Sequence, residues 1–348
     1  MYRVLGAAIV AGAICVFLTP LLIRILRKLE YGQVIREDGP HAHFVKKGTP
    51  TMGGILIVLG TVAGYMAFSK WTPEGLIVLG TMVACGVLGF ADDFIQIRKK
   101  RSLGLKGRYK ILGQVIIALG FTLLATRLHT IGHPALPKQF SFLGGTAVSL
   151  GVFFFIWVFI MIIGSSNAVN ITDGLDGLAS GSMVMVMAAY LLIAFTMFRH
   201  PVTQHPKFYL FTGEPALDIA IISGAVLGAC VGFLWWNAAP AKIFMGDTGS
   251  LALGGVLAAI AIMTRTQFLL LVLGGLFVLE AMSVVIQVGF FKLSHGKRVF
   301  RMAPIHHHFE LGGWSEFTVM VRLWILCGFF VLVGFAIFYV DFVGRVPS

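Results

Sequence analysis

Charged residues are scarce in this chain, and acidic residues are the scarcest. Of 348 residues, only 15 are Asp or Glu and 27 are Lys or Arg, so charged residues make up 12% of the chain. Apolar residues make up 57%, and the mean hydropathy is +0.90. This balance excludes a soluble domain of this size and predicts an all-α polytopic membrane protein.

Cysteine is also scarce, and each of the four cysteines stands alone. Cys15, Cys85, Cys230 and Cys327 lie in separate apolar runs. This pattern excludes a disulfide framework and a thiolate metal site, and it predicts small core residues instead. A cleavable leader is not evident, because the first apolar run leads directly into a cluster of Arg and Lys. We therefore expect that run to be a membrane anchor.

Ten apolar runs are long enough to cross about 30 Å of hydrocarbon as helices. They lie approximately at 3–23, 52–69, 75–91, 110–127, 146–164, 177–198, 216–236, 249–264, 267–290 and 319–341. We expect residues 1–348 to form a single integral membrane domain with about ten transmembrane helices.

The basic residues predict the orientation of this domain. The loops after the first, third, fifth, seventh and ninth predicted helices, with the helix ends beside them, hold 19 of the 27 Lys and Arg residues. Because Lys and Arg in short loops stay on the cytoplasmic side, these loops are predicted to be cytoplasmic and both termini to be outside. The net charge of +12 follows this topology, and no motif indicates a nucleic-acid partner.

Four short polar strings interrupt the apolar runs, and the predicted topology places all four at the cytoplasmic boundary. They are 91–94, 167–176, 244–249 and 304–309. An ionised carboxylate near a membrane needs water, a cation or a metal beside it. The four strings therefore predict one site at this boundary.

The first string ends in Asp92 and Asp93, directly before a basic cluster at 98–110. Two adjacent carboxylates repel each other unless a metal or cations neutralise them. A site that holds phosphate would contain both the metal and the cations. The alternatives are that one aspartate caps the basic loop, and that the cluster reflects topology alone or binds anionic lipid head groups.

Two further strings carry polar side chains suited to a nucleotide or a metal. Asn167, Asn170, Asp173 and Asp176 recur at every third position, and they suit a uracil and ribose or a metal shell, although helix capping would use one of them. Asp247 could be a ligand of Mg²⁺ or the N-cap residue of the helix that follows it. Phe244 could stack on a nucleotide base or anchor the chain at the membrane boundary.

The last string contains His306, His307 and His308. Three adjacent histidines in an extended loop cannot all point at one ion, so zinc is disfavoured and contacts to phosphate or sugar are favoured. Glu280 lies deep in the predicted ninth helix, where it either pairs within the bundle or marks a broken helix.

Together these strings resemble the polyprenyl-phosphate N-acetylhexosamine-1-phosphate transferases, and most closely their muramoyl-pentapeptide branch. The resemblance covers essentially the whole chain. It rests on 48–54 (GTPTMGG), 91–93 (ADD), 167–179 (NAVNITDGLDGLA), 244–251 (FMGDTGSL) and 304–310 (PIHHHFE). The first and last of these strings are typical of the muramoyl-pentapeptide branch.

The resemblance implies an enzyme of the bacterial plasma membrane that makes part of the cell wall. It would transfer phospho-MurNAc-pentapeptide from UDP-MurNAc-pentapeptide to undecaprenyl phosphate, forming lipid I and UMP with Mg²⁺. Asp247 would hold the metal, and Asp92 or Asp93 would act near the lipid phosphate. Either Asp92 assists direct attack by the lipid, or an aspartate forms a covalent phosphoryl intermediate. A phosphate already ionised near neutral pH needs little help from a base, which favours direct attack.

The predicted site residues fall into two groups. The catalytic group is Asp92, Asp93, Asp247 and His306. The substrate-binding group is Lys47, Lys106, Lys110, Asn167, Asn170, Asp173, Asp176, Asn237, Phe244, His307 and His308. The lysines are expected on the phosphate side, Asn170, Asp173, Asp176, Asn237 and Phe244 on the uridine side, and His306 and His307 at the pyrophosphate or sugar.

Two other functions remain open at this point. A transferase of GlcNAc-1-phosphate would keep the aspartates, but the triple-histidine string argues against it. An ion-coupled transporter would place acids near the bilayer midplane and show internal repeats. Glycine spacings at 60 and 64 and at 224, 228 and 232 allow close helix packing, within one chain or in a homodimer.

Overall fold

The computed structural model describes residues 1–29, 48–99, 104–128, 136–141, 147–200 and 213–343. These residues form twelve α-helices, one short 3₁₀ helix at Gly151–Phe153 and one two-stranded sheet. The helices are α1 Tyr2–Lys28, α2 Gly54–Phe68, α3 Pro73–Arg98, α4 Gly107–Thr126, α5 Phe154–Thr172, α6 Leu178–Arg199, α7 Glu214–Asn237, α8 Gly246–Met263, α9 Gln267–Leu273, α10 Gly275–Leu293, α11 Ile305–Glu310 and α12 Glu316–Val343. The strands are β1 Gln139–Ser141 and β2 Ala147–Ser149, which pair antiparallel.

The prediction of an all-α polytopic membrane protein is confirmed. Within the described ranges, nine helices are long and apolar enough to cross a membrane, and α2 is a shorter apolar helix of 15 residues. Helices suit these sequences because each satisfies its own backbone hydrogen bonds where water is absent. With α2, the long helices correspond to the ten predicted spans, with α9 and α10 sharing the ninth.

Two predicted spans have different boundaries in the structure. The span predicted at 146–164 is wrong by about half its length, because α5 runs over 154–172 and residues 147–149 form a strand instead. Hydropathy does not separate an apolar strand from an apolar helix, and the polar residues at 167–172 remain helical. The span predicted at 267–290 breaks at Gly274 between α9 and α10.

The core of the bundle is built on α7 and α8. Nearly every residue of α8 is buried, and α7 packs closely against α1 and α6. The predicted glycine spacings serve this packing. A Cβ added at Gly228 would lie 2.0 Å from the carbonyl oxygen of Ala8, and one at Gly64 would lie 2.5 Å from that of Ala7. These glycines bring α7 and α2 against α1 within one chain, so they no longer support the prediction of a homodimer.

The four cysteines are confirmed as buried and unpaired.

The polar strings lie together at one end of the bundle, because α3, α5 and α7 end there and α4, α6 and α8 begin there. This end is called the site end below.

Candidate active site

Asp93 holds the start of α8 in place from the neighbouring helix α3. Its side chain is buried, and its Oδ1 accepts a hydrogen bond from the backbone N–H of Asp247 at 3.0 Å. Its Oδ2 accepts from the backbone N–H of Thr248 at 2.9 Å and from the Thr248 hydroxyl at 2.6 Å. A carboxylate at a helix N-terminus satisfies N–H groups that have no partner within the helix. Asp93 therefore fixes the turn that carries Asp247.

Asp247 lies in the first turn of α8, not at its N-cap position. The interpretation of Asp247 as a capping residue is therefore wrong, because Met245 occupies that position and Asp93 supplies the acceptor. This arrangement frees the carboxylate of Asp247. Its Oδ2 accepts from Lys110 Nζ at 2.5 Å, and its Oδ1 accepts from Asn170 Nδ2 at 2.6 Å. Both side chains of the ion pair remain partly accessible, at 17% for Lys110 and 22% for Asp247.

Asn170 is brought to the same point from the last turn of α5. Besides its bond to Asp247, its Nδ2 donates to the Ser250 hydroxyl at 2.8 Å. Asn167, one turn earlier, points elsewhere and donates to Gln114 at 3.4 Å and to the carbonyl of Ile163 at 2.9 Å. The two asparagines were predicted together, and the structure brings only Asn170 to Asp247.

Asp92 caps the chain that leads into α4. Its Oδ1 accepts from the backbone N–H of Leu105 at 2.9 Å, as one alternative for this residue proposed. Its carboxylate also lies close enough to that of Asp247 for the two to repel each other. Asp92 therefore borders the same space as Asp247 while it positions the loop before Lys110.

Asp173 follows α5 directly and makes no hydrogen bond through its side chain within the described part of the chain. Burial raises its pKa well above the ordinary value, and the neighbouring carboxylates of Asp247, Asp93 and Asp176 raise it further. The carboxylates of three other aspartates therefore lie close enough to act on Asp173.

Asp176 and Asn237 hold the loop between α7 and α8. Asp176 accepts from the backbone N–H of Ala241 at 2.9 Å. Asn237 is buried, donates to the carbonyl of Ile243 at 3.0 Å and accepts from the Ser180 hydroxyl at 2.9 Å. Both side chains are thus engaged within the protein. Their roles toward uridine stay predictions.

The loop at 48–54 lies directly against the segment that carries Phe244. The backbone N–H of Phe244 donates to the carbonyl of Pro50 at 2.8 Å, and that of Gly53 donates to the carbonyl of Phe244 at 2.8 Å. A Cβ added at Gly54 would lie 2.1 Å from the backbone nitrogen of Gly249. Only glycine permits so close an approach, so the loop contributes to the position of α8. Phe244 itself is partly buried.

The three histidines lie on the short helix α11, so the prediction of an extended loop is wrong. They do point in different directions, as expected. The Nδ1 of His306 lies 3.0 Å from Glu280 Oε2, that of His307 lies 2.6 Å from Glu310 Oε2, and that of His308 accepts from the backbone N–H of Arg301 at 3.1 Å. Glu280 thus pairs within the bundle, and the break in its predicted helix lies at Gly274 instead.

The three predicted lysines have different outcomes. Lys110 reaches Asp247. Lys106 precedes α4 and is exposed to solvent. Lys47 lies outside the described residues.

Three neighbours of the predicted site residues were not predicted themselves, namely Thr248, Ser250 and Gln114. Thr248 and Ser250 belong to the same string as Asp247 and so had a signal, whereas nothing in the sequence around Gln114 indicates its contact with α5.

The oxygen donors of the site fit a hard divalent cation. The described residues contain no group of three His, Cys, Asp or Glu side chains that could hold a metal alone. Mg²⁺ does not require one, because it takes one or two carboxylates and completes its shell with water and substrate phosphate. Asp247, partly accessible and surrounded by further carboxylates, matches that requirement.

Comparison with known proteins identifies the relatives of this chain. The profile described as glycosyl transferase family 4 matches residues 75–265, and the profile described as phospho-N-acetylmuramoyl-pentapeptide-transferase signature 1 matches residues 46–58. The chain is 50% identical over 351 residues to the phospho-N-acetylmuramoyl-pentapeptide-transferase of Streptomyces griseus, covering 96% of this chain and 98% of the relative.

Two further relatives carry the same name. Identity is 50% over 353 residues with the protein of Frankia casuarinae, covering 99% of both chains. It is 47% over 360 residues with that of Thermobifida fusca, covering 99% of this chain and 100% of the relative. The match to glycosyl transferase family 4 contains Asp92, Asp93, Asp173, Asp176 and Asp247.

Proposed function

The chain belongs to the phospho-N-acetylmuramoyl-pentapeptide transferases, and from this premise we propose how its site end performs the reaction. The chain is a membrane transferase that forms lipid I in peptidoglycan synthesis. The GlcNAc-1-phosphate alternative is not favoured by these relatives. The reaction joins phospho-MurNAc-pentapeptide, carried by UDP, to undecaprenyl phosphate and releases UMP.

The observation that carries the site assignment is the environment of Asp247. Its carboxylate is presented by a helix start that Asp93 fixes, and Lys110 and Asn170 bond to its two oxygens. Asp247 would hold Mg²⁺, which supplies Lewis-acid neutralisation of phosphate charge when bound. Lys110 lies beside that position and would offer its ammonium group to the phosphates, where negative charge increases during transfer.

Asp92 would orient the lipid phosphate or accept its proton. Its carboxylate lies near Asp247 and is fixed by the N–H of Leu105. Direct attack remains the favoured mechanism, because an ionised lipid phosphate is already nucleophilic. In a two-step mechanism, an aspartate would carry the phosphoryl group and a labelled enzyme could be isolated.

The uridine side would be formed by Asp173, Asp176, Asn237 and Phe244. These residues lie in or beside the α5–α6 loop and the α7–α8 loop, which are joined by the hydrogen bond from Ala241 to Asp176. The lipid would approach laterally from the membrane and the nucleotide from the cytoplasm. This assignment rests on the excess of Lys and Arg in the loops at the site end.

The function is tested by UMP release from purified protein in detergent. UDP-MurNAc-pentapeptide and UDP-GlcNAc are offered in parallel with undecaprenyl phosphate and Mg²⁺. We expect release with the muramoyl-pentapeptide substrate alone. Release with UDP-GlcNAc alone would contradict the assignment, and undiminished release in EDTA would remove the metal from it.

The orientation is tested separately by labelling. A Lys106→Cys variant places a thiol at an exposed position of the site end, whereas the four native cysteines are buried. We expect a membrane-impermeant maleimide to label this thiol in inside-out vesicles and not in intact cells. The reverse pattern would place the site end outside.

A further inference from the structure

Glu280 and His306 form a buried pair beside the site, joining α10 to α11. Both side chains are fully buried, and His306 Nδ1 lies 3.0 Å from Glu280 Oε2. A carboxylate within a membrane helix is costly to bury and persists where it has a specific partner. His306 is that partner, 26 residues along the chain.

The outer atoms of this pair have no partner. His306 Nε2 and Glu280 Oε1 are buried and make no hydrogen bond in the described structure. A buried polar atom without a partner costs about 1–3 kcal/mol, so two in one pair call for an explanation. The pair at His307 and Glu310 is similar in chemistry but is partly exposed.

The unpartnered nitrogen of His306 points at the turn that carries Asp173. A Cβ added at Gly174 would lie 2.4 Å from Nε2, so the imidazole faces the side of Gly174 where a side chain would be. Gly174 is exposed, whereas His306 is buried behind it. Nε2 therefore lies against an exposed glycine, which has no side chain to cover the nitrogen.

We propose that Glu280 is a positioning residue of the transferase, which binds Nδ1–H of His306 and thereby directs Nε2 to the nucleotide-sugar substrate at the turn of Asp173 and Gly174. A carboxylate bonded to one ring nitrogen fixes the orientation of the imidazole and reserves the other nitrogen for the ligand. The inference rests on the proposed function, in which this turn borders the uridine side.

The first test compares Glu280→Gln with Glu214→Gln in the purified full-length protein. Glu214 begins α7 at the opposite end of the bundle, where it pairs with Arg3, so it controls for the loss of a carboxylate away from the site. We expect Glu280→Gln to lower kcat/KM for UDP-MurNAc-pentapeptide about 10- to 100-fold, with the KM for undecaprenyl phosphate unchanged. The control should stay within about twofold of wild type, because it lies far from the reacting groups. Near-native turnover of Glu280→Gln, or an equal loss in the control, would overturn the proposal.

A double-mutant cycle separates positioning from a purely structural contribution. If Glu280 acts through His306, adding Glu280→Gln to His306→Ala should cause no further loss of kcat/KM. Losses that multiply would show that the two side chains act independently and would contradict the proposal. Thermal unfolding in detergent is measured for each variant, and Glu280→Asp replaces any variant that does not fold.

The third test identifies the nitrogen that serves the substrate. The amide of His306→Gln occupies the region of Nε2, whereas the amide of His306→Asn occupies that of Nδ1 and keeps the bond to Glu280. We expect His306→Gln to retain the higher kcat/KM. Equal values, or a higher value for His306→Asn, would refute the assignment to Nε2. Wild-type release of UMP tests the proposed function, and the ratios between variants test Glu280.

Discussion

The two ends of the helix bundle both bury carboxylates, but they neutralise them differently. At the end opposite the site, Asp218 accepts a hydrogen bond from the backbone N–H of Thr72 at 2.9 Å, with Arg3 at 3.5 Å. Glu214 pairs with Arg3 at 2.7 Å and with Lys70 at 2.9 Å. There Asp218 and Glu214 are held by cations and N–H donors, and their contacts join α1, α3 and α7.

At the site end, several aspartates lie close enough to repel one another. The aspartates are Asp92, Asp93, Asp173, Asp176 and Asp247. Lys110 pairs with Asp247. Cations and N–H donors that pair with buried acids stabilise the fold, whereas repulsion among neighbouring carboxylates disfavours the empty protein and favours a bound cation. The comparison predicts that substitutions at one end affect mainly activity and those at the other affect mainly stability.

The largest effect is expected for Asp247→Asn. The variant keeps the shape of the side chain but loses the charge that would hold Mg²⁺ and that Lys110 neutralises. We expect kcat/KM to fall about 10²- to 10³-fold, as when a group that stabilises charge in the transition state is removed. UMP release measures the loss, and thermal unfolding should remain close to wild type. Activity within about tenfold of wild type would contradict this assignment.

Asp93→Asn is expected to lower both activity and stability, because Asp93 fixes the helix turn that carries Asp247. An amide retains one acceptor oxygen, so it cannot receive all three hydrogen bonds from Asp247 and Thr248. We expect a loss of about 1–3 kcal/mol in the free energy of unfolding. Activity should fall with it, because the first turn of α8 is no longer fixed. Asp93→Asn with native stability would show that the hydrogen bonds to α8 contribute little.

Asp218→Asn is the matched substitution at the opposite end. Asp218 is fully buried and receives donors from α2, the following loop and α1. The loss of its charge should lower the free energy of unfolding by about 1–3 kcal/mol. The kcat at a temperature where the variant is folded should be unchanged. A selective fall in kcat would mean that the two ends are coupled, and the comparison would then fail.

The smallest effect is expected for Asp173→Asn, and it depends on pH. Because the pKa of Asp173 is raised in the folded protein, ionisation costs folding free energy as pH rises from the ordinary range of Asp through the raised pKa. Wild type in EDTA should therefore lose stability over this interval, and the variant should lose less. Unfolding temperatures measured from about pH 5 to about pH 8 test the difference. Parallel curves for the two proteins would contradict it.

The sequence predicted the membrane fold, and it also predicted most of the residues that the structure brings together at the site end, because their signals are local. Apolar runs of sufficient length must form helices in hydrocarbon, and Asp92, Asp247 and Asn170 lie in short strings at the ends of such runs. The same locality explains the errors. Hydropathy does not distinguish the strand at 147–149 from a helix, and helix-start patterns do not reveal that Asp93 of another helix caps α8.

The sequence by itself determined that polar residues gather at one end of a helical membrane domain. The length of the apolar runs and the distribution of Lys and Arg, from which this follows, depend only on neighbours along the chain. Tertiary structure decided which partner each of those residues has. Asp247 meets Lys110 across 137 positions, Asp93 meets Thr248 across 155, and His306 meets Glu280 across 26. Such contacts depend on how α3, α4, α8 and α10 pack, and helix packing is set by the whole bundle, not by any one segment.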